Sequence, residues 1–269
     1  MKRVIALSDF HSGHLVGLTP PPWHVKEKRG TDRTKRGKFA RIQRELWGEF
    51  VKMLKDLAPY DYVLFGGDSI EGKGFRSGST ELITADREEQ AEIAASVFAS
   101  VRLYSGRKKV KIAAVYGTPS HVGTDEDWED IVAEKAGFDK IGAHEWPMIE
   151  GVVFDLKHKI GSSTIPHGRG TAVLREMLWG DLWAMNDQQP KADVVLRGHA
   201  HYYIGIDTAD KAGFVMPALQ GMGSKFGARQ CSGIVHWGLM HFDCAKGSVE
   251  DWDKHIRVIQ TQVATTTKL

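Results

Sequence analysis

Short apolar runs alternate along this chain with longer stretches in which apolar residues return at helical spacing, the pattern of strands and helices in alternation. Val4-Ile5-Ala6-Leu7, Tyr62-Val63-Leu64-Phe65, Lys111 to Gly117 and Val194-Val195-Leu196-Arg197 read as strands. Trp146 to His158 reads as a strand or a hairpin broken at Glu150-Gly151. Phe39, Ile42, Leu46, Phe50, Leu54 and Leu57 predict a helix that stops near Ala58-Pro59, because proline cannot continue a helix interior. Ile93, Val97, Phe98 and Val101 mark a second helix, and Trp128, Ile131, Val132 and Ala136 a short one. Thr171 to Asn186 is predicted helical, with Val173, Leu174, Met177, Leu178, Leu182 and Trp183 turned inward.

After His201 the texture becomes strand upon strand: Tyr202 to Asp207, Gly213 to Leu219, Gly233 to Asp243 and His255 to Val263. Residues 202–265 are therefore expected to be mostly strands of a second sheet, within a single domain spanning residues 1–269, a length that can bury a double-sheet core. One segment interrupts the alternation. Residues 14–37 form a basic, proline-rich insertion, with Pro20-Pro21-Pro22-Trp23 leading into Lys26, Lys28, Arg29, Arg33, Lys35 and Arg36, and the basic run continues to Arg44.

Composition narrows the class only slightly. A hydrophobic share of 42%, a charged share of 26% and a net charge of +2 are those of an ordinary globular protein. Cys231 and Cys244 lack Cys-x-x-Cys spacing, so they imply neither a disulfide framework nor a zinc ribbon and are expected as buried thiols. Met1-Lys2-Arg3-Val4 runs straight into a strand without a signal-peptide-like region, and no apolar stretch reaches the length of a membrane span. A cytoplasmic setting is the expectation.

The chemistry lies where the apolar runs stop. Asp9 and His11 follow the first run, Asp68 the second, His121 the third, His158 the Val152 to Lys157 run, and His199 and His201 the Val194 run. In an open α/β sheet, ligands bind at the carboxyl ends of the strands. Each element alone has a plain reading: Asp and His suit strand-to-loop turns, and Gly66-Gly67 could be only a tight turn. Gly198-His199-Ala200-His201 is more specific, since alternate residues at a strand end point the same way. Jointly, the strand ends gather oxygen and nitrogen ligands of the kind used by two-metal hydrolases. Asp155 and Asp193 read as solvent or capping groups, and His14 and His24 as surface imidazoles.

Asp9-Phe10-His11, Gly67-Asp68, His158 and Gly198-His199-Ala200-His201 resemble the motifs of the calcineurin-like metallophosphoesterases, and the likeness runs from residue 9 to residue 201. Ser8-Asp9-Phe10-His11-Ser12-Gly13 and Gly67-Asp68-Ser69-Ile70-Glu71-Gly72 are similar to small bacterial and phage members. The resemblance implies a four-layer α/β-β/α sandwich of two mixed β-sheets flanked by helices, with a dinuclear site at one edge. It implies Asp9, His11 and His201 on a first metal, His158 and His199 on a second, and Asp68 bridging both. Such ions stand roughly 3.5–4 Å apart, clamp a phosphate and hold a hydroxide that attacks phosphorus in line. Mixed imidazole and carboxylate ligands suit two divalent ions, Mn²⁺ first, with Fe or Zn²⁺ as alternatives.

One position departs from the family. Asn-His is expected after the third strand, but the chain reads Gly117-Thr118-Pro119-Ser120-His121-Val122-Gly123. Either His121 binds the second metal, which the better ligand quality of imidazole favours, or it is the general acid while a hydroxyl or water takes the asparagine's place. His167 and Arg169 lie just before a predicted helix and could meet a substrate phosphate at its N-terminus, although a turn histidine is the plainer reading.

The resemblance and the basic segment favour a phosphodiesterase acting on nucleic acid (DNA or RNA) or a nucleotide, since Lys and Arg neutralise phosphates and Trp23, Trp47 and Tyr104 could stack bases. The alternatives are a phosphomonoesterase and a non-catalytic protein-binding scaffold, a role that some family members have taken.

Overall fold

The computed structural model describes residues 1–26, 35–123, 127–163, 165–222 and 235–257. The first half contains β1 (Lys2–Leu7), α1 (Lys35–Leu57), β2 (Tyr62–Phe65), α2 (Arg87–Tyr104), β3 (Lys111–Val115), α3 (Pro119–Val122), α4 (Trp128–Ala136) and β4 (Lys140–Gly142). The second contains β5 (Met148–Ile149), β6 (Val152–Lys157), α5 (Arg169–Met185), β7 (Val194–Arg197), β8 (Ile204–Asp207), β9 (Ala212–Val215), β10 (Trp237–Ala245) and β11 (Ser248–Arg257).

Alternation within β1 sets the layers. Ile5 and Leu7 join a core with Leu46, Phe50 and Leu54 of α1, Val97 and Phe98 of α2 and Val132 of α4. Val4 and Ala6 point the other way, into a core shared with Phe154 and Leu156 of β6, Leu196 of β7 and Phe214 of β9. A third cluster, with Val195, Val215, Val173 and Met177, lies between the second sheet and α5. Three apolar layers separate four layers of structure, helices–sheet–sheet–helix, the arrangement that the resemblance implies.

The first sheet has the order β11-β10-β1-β2-β3-β4, with β1 to β4 parallel and β10 antiparallel to β1. The second has the order β5-β6-β7-β9-β8, parallel through β6, β7 and β9 with antiparallel edges. The C-terminal expectation needs correcting. Only β8 and β9 enter the second sheet, whereas β10 and β11 extend the first, with Val4 opposite Phe242 and Phe242 opposite Trp252. Strand character was legible in residues 202–265, but sheet membership depends on which edge is open, here that of β1. Gly233 to His236 of the predicted strand lie partly outside the described residues, as does everything after Arg257.

The inward face of α5 also differs. Val173, Met177 and Gly180 are buried, while Leu174, Leu178, Leu182 and Trp183 are 39–59% exposed. The helix carries two apolar stripes, and only the slimmer one fits the sheet. A side chain on Gly213 of β9 would collide with Met177 Sδ at 2.6 Å and Val173 Cγ1 at 2.7 Å, so α5 rests directly on that strand's backbone.

Of the basic insertion, residues 27–34 lie outside the described part; Trp23 sits in a single 3-10 turn. Trp47 and Tyr104 pack against the helix-side core and do not stand out as stacking platforms. Cys244 is buried as expected, and Cys231 falls outside the described residues.

Candidate metal centre

Five strands point their carboxyl ends at one pocket. β1 delivers Asp9 and His11, β2 Asp68, β3 Thr118, β6 His158, and β7 His199 and His201. The pocket is lined by His11, Asp68, His199 and His201 together with His14, Glu71, Ser77, Glu81, His121 and Gln220.

The backbone is strained where the ligand side chains emerge. Asp9, His11, Asp68, His199 and His201 have φ of +56°, +47°, +57°, +70° and +54°. They are five of the nine non-glycine residues with positive φ among the described residues, so such strain is concentrated here, as it is at functional sites in general. The two sheets meet closely at this edge: a Cβ on Gly198 would stand 2.3 Å from Ser8 Oγ and 3.1 Å from Asp9 Oδ2.

Two groups of donors result. In the first, Asp9 Oδ1 lies 3.2 Å from His201 Nε2 and 3.9 Å from His11 Nε2, and the two imidazole Nε2 atoms face each other at 3.2 Å. In the second, Asp68 Oδ2 lies 3.1 Å from His158 Nε2, and Thr118 Oγ1 reaches His158 Nε2 at 3.0 Å and His199 Nδ1 at 3.1 Å. His11 Nε2 to Asp68 Oδ2 is 3.8 Å, which joins the groups.

The outer nitrogens are already committed. His11 Nδ1–H donates to Glu71 Oε2 at 2.9 Å, and His158 Nδ1–H donates to the Gly66 carbonyl at 2.6 Å. These bonds fix the tautomers and turn the Nε2 lone pairs inward. Lone pairs of imidazole and carboxylate thus converge on one another, an arrangement that needs cations, or protons in their place. The two groups could each hold a metal ion: Asp9, His11 and His201, and Asp68, His158 and His199.

Charge within the cluster follows the same logic. Burial opposes ionisation of Asp9, but His201 and His11 hold its carboxyl well below the usual range. Burial likewise opposes the charge on Asp68, and His158 overrides it. Burial disfavours protonated His11, yet Asp9 and Glu71 raise it to about 10; for His158 burial is outweighed by Asp68, giving about 9. His199 is pushed down to about 4 by burial and by His158. Without a cation, protons on the imidazoles balance the carboxylates.

The expectation that His121 completes the second group is not met by the geometry. Its Nδ1–H donates to the Glu71 carbonyl at 2.9 Å, and it groups with His11 and Glu71, away from His158 and His199. Thr118, not His121, reaches His158 and His199. His167 is exposed, and Arg169 lays its guanidinium over the Tyr202 ring at 4.5 Å; neither lines the pocket.

His14, expected on the surface, is 3% exposed and lines the pocket. His24 is half-buried, with Nε2–H donating to the Thr19 carbonyl at 2.8 Å. Asp193 caps the Val153 amide at 2.8 Å, while Asp155 is buried against Arg197 Nη1 at 2.6 Å and His144 Nε2 at 2.7 Å. Glu71 and Glu129 were missed. Glu71 sits three residues after Asp68, one helical turn's worth of spacing that carried no periodic signal in a loop.

No family model matches the sequence, and no match is found among curated proteins. Among solved structures, an archaeal phosphodiesterase is similar at 11% identity, over 95% of this chain and 99% of that chain, with a TM-score of 0.46. Zinc-complexed Vps29 from Entamoeba histolytica has 14% identity over 94% of this chain and 98% of that one, with a TM-score of 0.42. A predicted phosphoesterase from Streptococcus pneumoniae has 12% identity over 95% and 98%, with a TM-score of 0.36. Likeness at these values carries no weight for chemistry, which rests on the side chains.

Proposed function

We propose that this chain is a metal-dependent phosphoesterase using two divalent cations, with phosphodiesters of nucleic acids or nucleotides as the favoured substrate class. One observation supports the reading: carboxylates and imidazoles from four strand ends, with the outer nitrogens of His11 and His158 tied down, converge as two donor groups beside one pocket. Asp9, His11 and His201 would hold one cation, and Asp68, His158 and His199, with the Thr118 hydroxyl beside them, the other. Manganese is the first choice for this imidazole–carboxylate mixture, with iron or zinc next. The cations would supply Lewis acidity to the phosphoryl oxygens and to water.

The chain's own residues do the rest. Glu71 orients His11 and the Gly66 carbonyl orients His158, so that neither ring can turn its Nε2 away. His121, anchored through Nδ1 to the Glu71 carbonyl, keeps Nε2 to give a proton to the departing alkoxide. Burial, and then His11, lower the pKa of His121, so the imidazolium that can give this proton is the minor form at neutral pH and its share grows as the pH falls.

Mn²⁺-dependent hydrolysis of a chromogenic phosphodiester beside the matching monoester, with Asp68→Asn as control, tests this. Diester turnover abolished by the substitution is expected. Preference for the monoester would make the protein a phosphomonoesterase. A scaffold, the reading favoured only by Thr118 in the asparagine's place, predicts no turnover of either.

A further inference from the structure

Helix α4 turns Glu129, Val132 and Ala133 to the same buried side. An acid on an inward stripe is unusual, and Glu129 is 1% exposed. Both of its carboxylate oxygens are used. Oε1 accepts the Ser69 amide at 2.8 Å, and Oε2 accepts the Gly117 amide. Ser69 follows Asp68, and Gly117 precedes Thr118. One carboxylate therefore joins the loop after β2 to the loop after β3, directly behind the two residues that face the second donor group.

The joined loops are in close contact. A Cβ on Gly117 would stand 2.2 Å from Asp68 Oδ1, and the Thr118 amide donates to that same oxygen at 2.6 Å. The helix that carries Glu129 is itself fixed: Asp127 caps its first turn through the Glu129 amide at 3.2 Å, and Tyr116 at the end of β3 donates to Asp130 Oδ1 at 2.8 Å. Placing the carboxylate in the first turn of α4 also sets it near the positive end of the helix dipole, which offsets part of the cost of burying it.

We infer that Glu129 is a positioning residue for the second cation, fixing the spacing between Asp68 and Thr118 without touching metal or substrate. The inference rests on the two-cation reading above. It separates Glu129 from an ordinary core residue, because its loss should act on one donor group more than on the other. His201 reaches the pocket from a loop that Glu129 does not touch, Asp9 is held by the Ser8 hydroxyl and the His199 amide, and the His11 amide meets the Glu129-held loop only at one remove, through the Asp68 carbonyl at 3.0 Å.

The test is calorimetric titration of Mn²⁺ into metal-stripped wild-type protein and Glu129→Gln, with thermal unfolding of both. The amide keeps the shape but offers one acceptor to two amide donors. Expected are two sites in the wild type and, in the variant, one site weakened by roughly tenfold to hundredfold, the other within about threefold. Excess Mn²⁺ should restore kcat with KM unchanged. Glu129→Asp, which keeps the carboxyl group but reaches one amide only, should weaken the same site by less and serves as the probe if the glutamine variant does not fold. Wild-type affinity at both sites in the variants would overturn the inference alone, as would equal weakening of both sites in step with Tm. Wild-type protein that takes up no metal would overturn the two-cation reading along with it.

Discussion

His121 meets His11 edge-on, with ring centroids 4.6 Å apart and the ring planes at 84°. The two rings share Glu71, His11 through the carboxylate and His121 through the backbone carbonyl. That shared anchor places His121 beside His11 of the first donor group rather than inside the second.

His121→Ala is therefore expected to keep both metals and to lose about 10²–10⁴-fold in kcat on substrates with poor leaving groups. Turnover of a nitrophenyl ester should change much less. Metal analysis alongside a leaving-group series checks this; loss of one equivalent of metal would restore His121 as a ligand.

Glu71→Gln should weaken metal binding roughly tenfold by removing the charge that holds the His11 ring. Burial opposes ionisation of Glu71, and His11 brings its carboxyl down to about 2, so the wild-type group stays charged throughout the usable pH range. The variant's deficit, read by metal titration at pH 6 and pH 8, should be the same at both.

Gly117→Ala brings a methyl group to 2.2 Å from Asp68 Oδ1 and 2.3 Å from the Asp68 amide. Backbone cannot yield there as a flexible side chain could. A stability loss of about 1–3 kcal/mol is expected, together with loss of the second metal, measured by urea unfolding and calorimetry.

Arg3 clasps Asp243 with Nε to Oδ1 at 2.8 Å and Nη2 to Oδ2 at 2.6 Å, tying β1 to β10. The hydrogen bond from Arg3 lowers the Asp243 pKa. A carboxylate whose folded pKa is below its unfolded value of about 3.9 contributes stability above that pH and loses it as pH falls through the folded value. Asp243→Asn should cost about 2 kcal/mol at pH 7, and the gap to wild type should close in unfolding curves taken below pH 3.

Much of this site was legible because imidazoles and carboxylates at the ends of apolar runs are a local signal, visible without knowing the fold. Asp9, His11, Asp68, His158, His199 and His201 fall in two neighbouring groups. What stayed hidden was relational. His121 and Thr118 are three residues apart, and only the turn of α3 decides which one faces His158. Glu129 looks like any acid in the first turn of a helix, and its inward direction becomes legible only beside Val132 and Ala133. The two stripes of α5 were both apolar, so periodicity could not choose between them; the glycine on β9 did. Pairing of β10 with β1 joins residues from opposite ends of the described chain, beyond the reach of any local pattern.

That pairing sets the order of events during synthesis. β1 is made before the other strands and carries Asp9 and His11 on its end, yet one of its two neighbours in the sheet is β10, made after every other donor. The nascent protein holds its first two ligands beside an unpaired strand edge until residues 237–245 arrive. A chain stopped before that point carries every residue of the candidate centre, with β1 able to pair with β2 but not yet with β10.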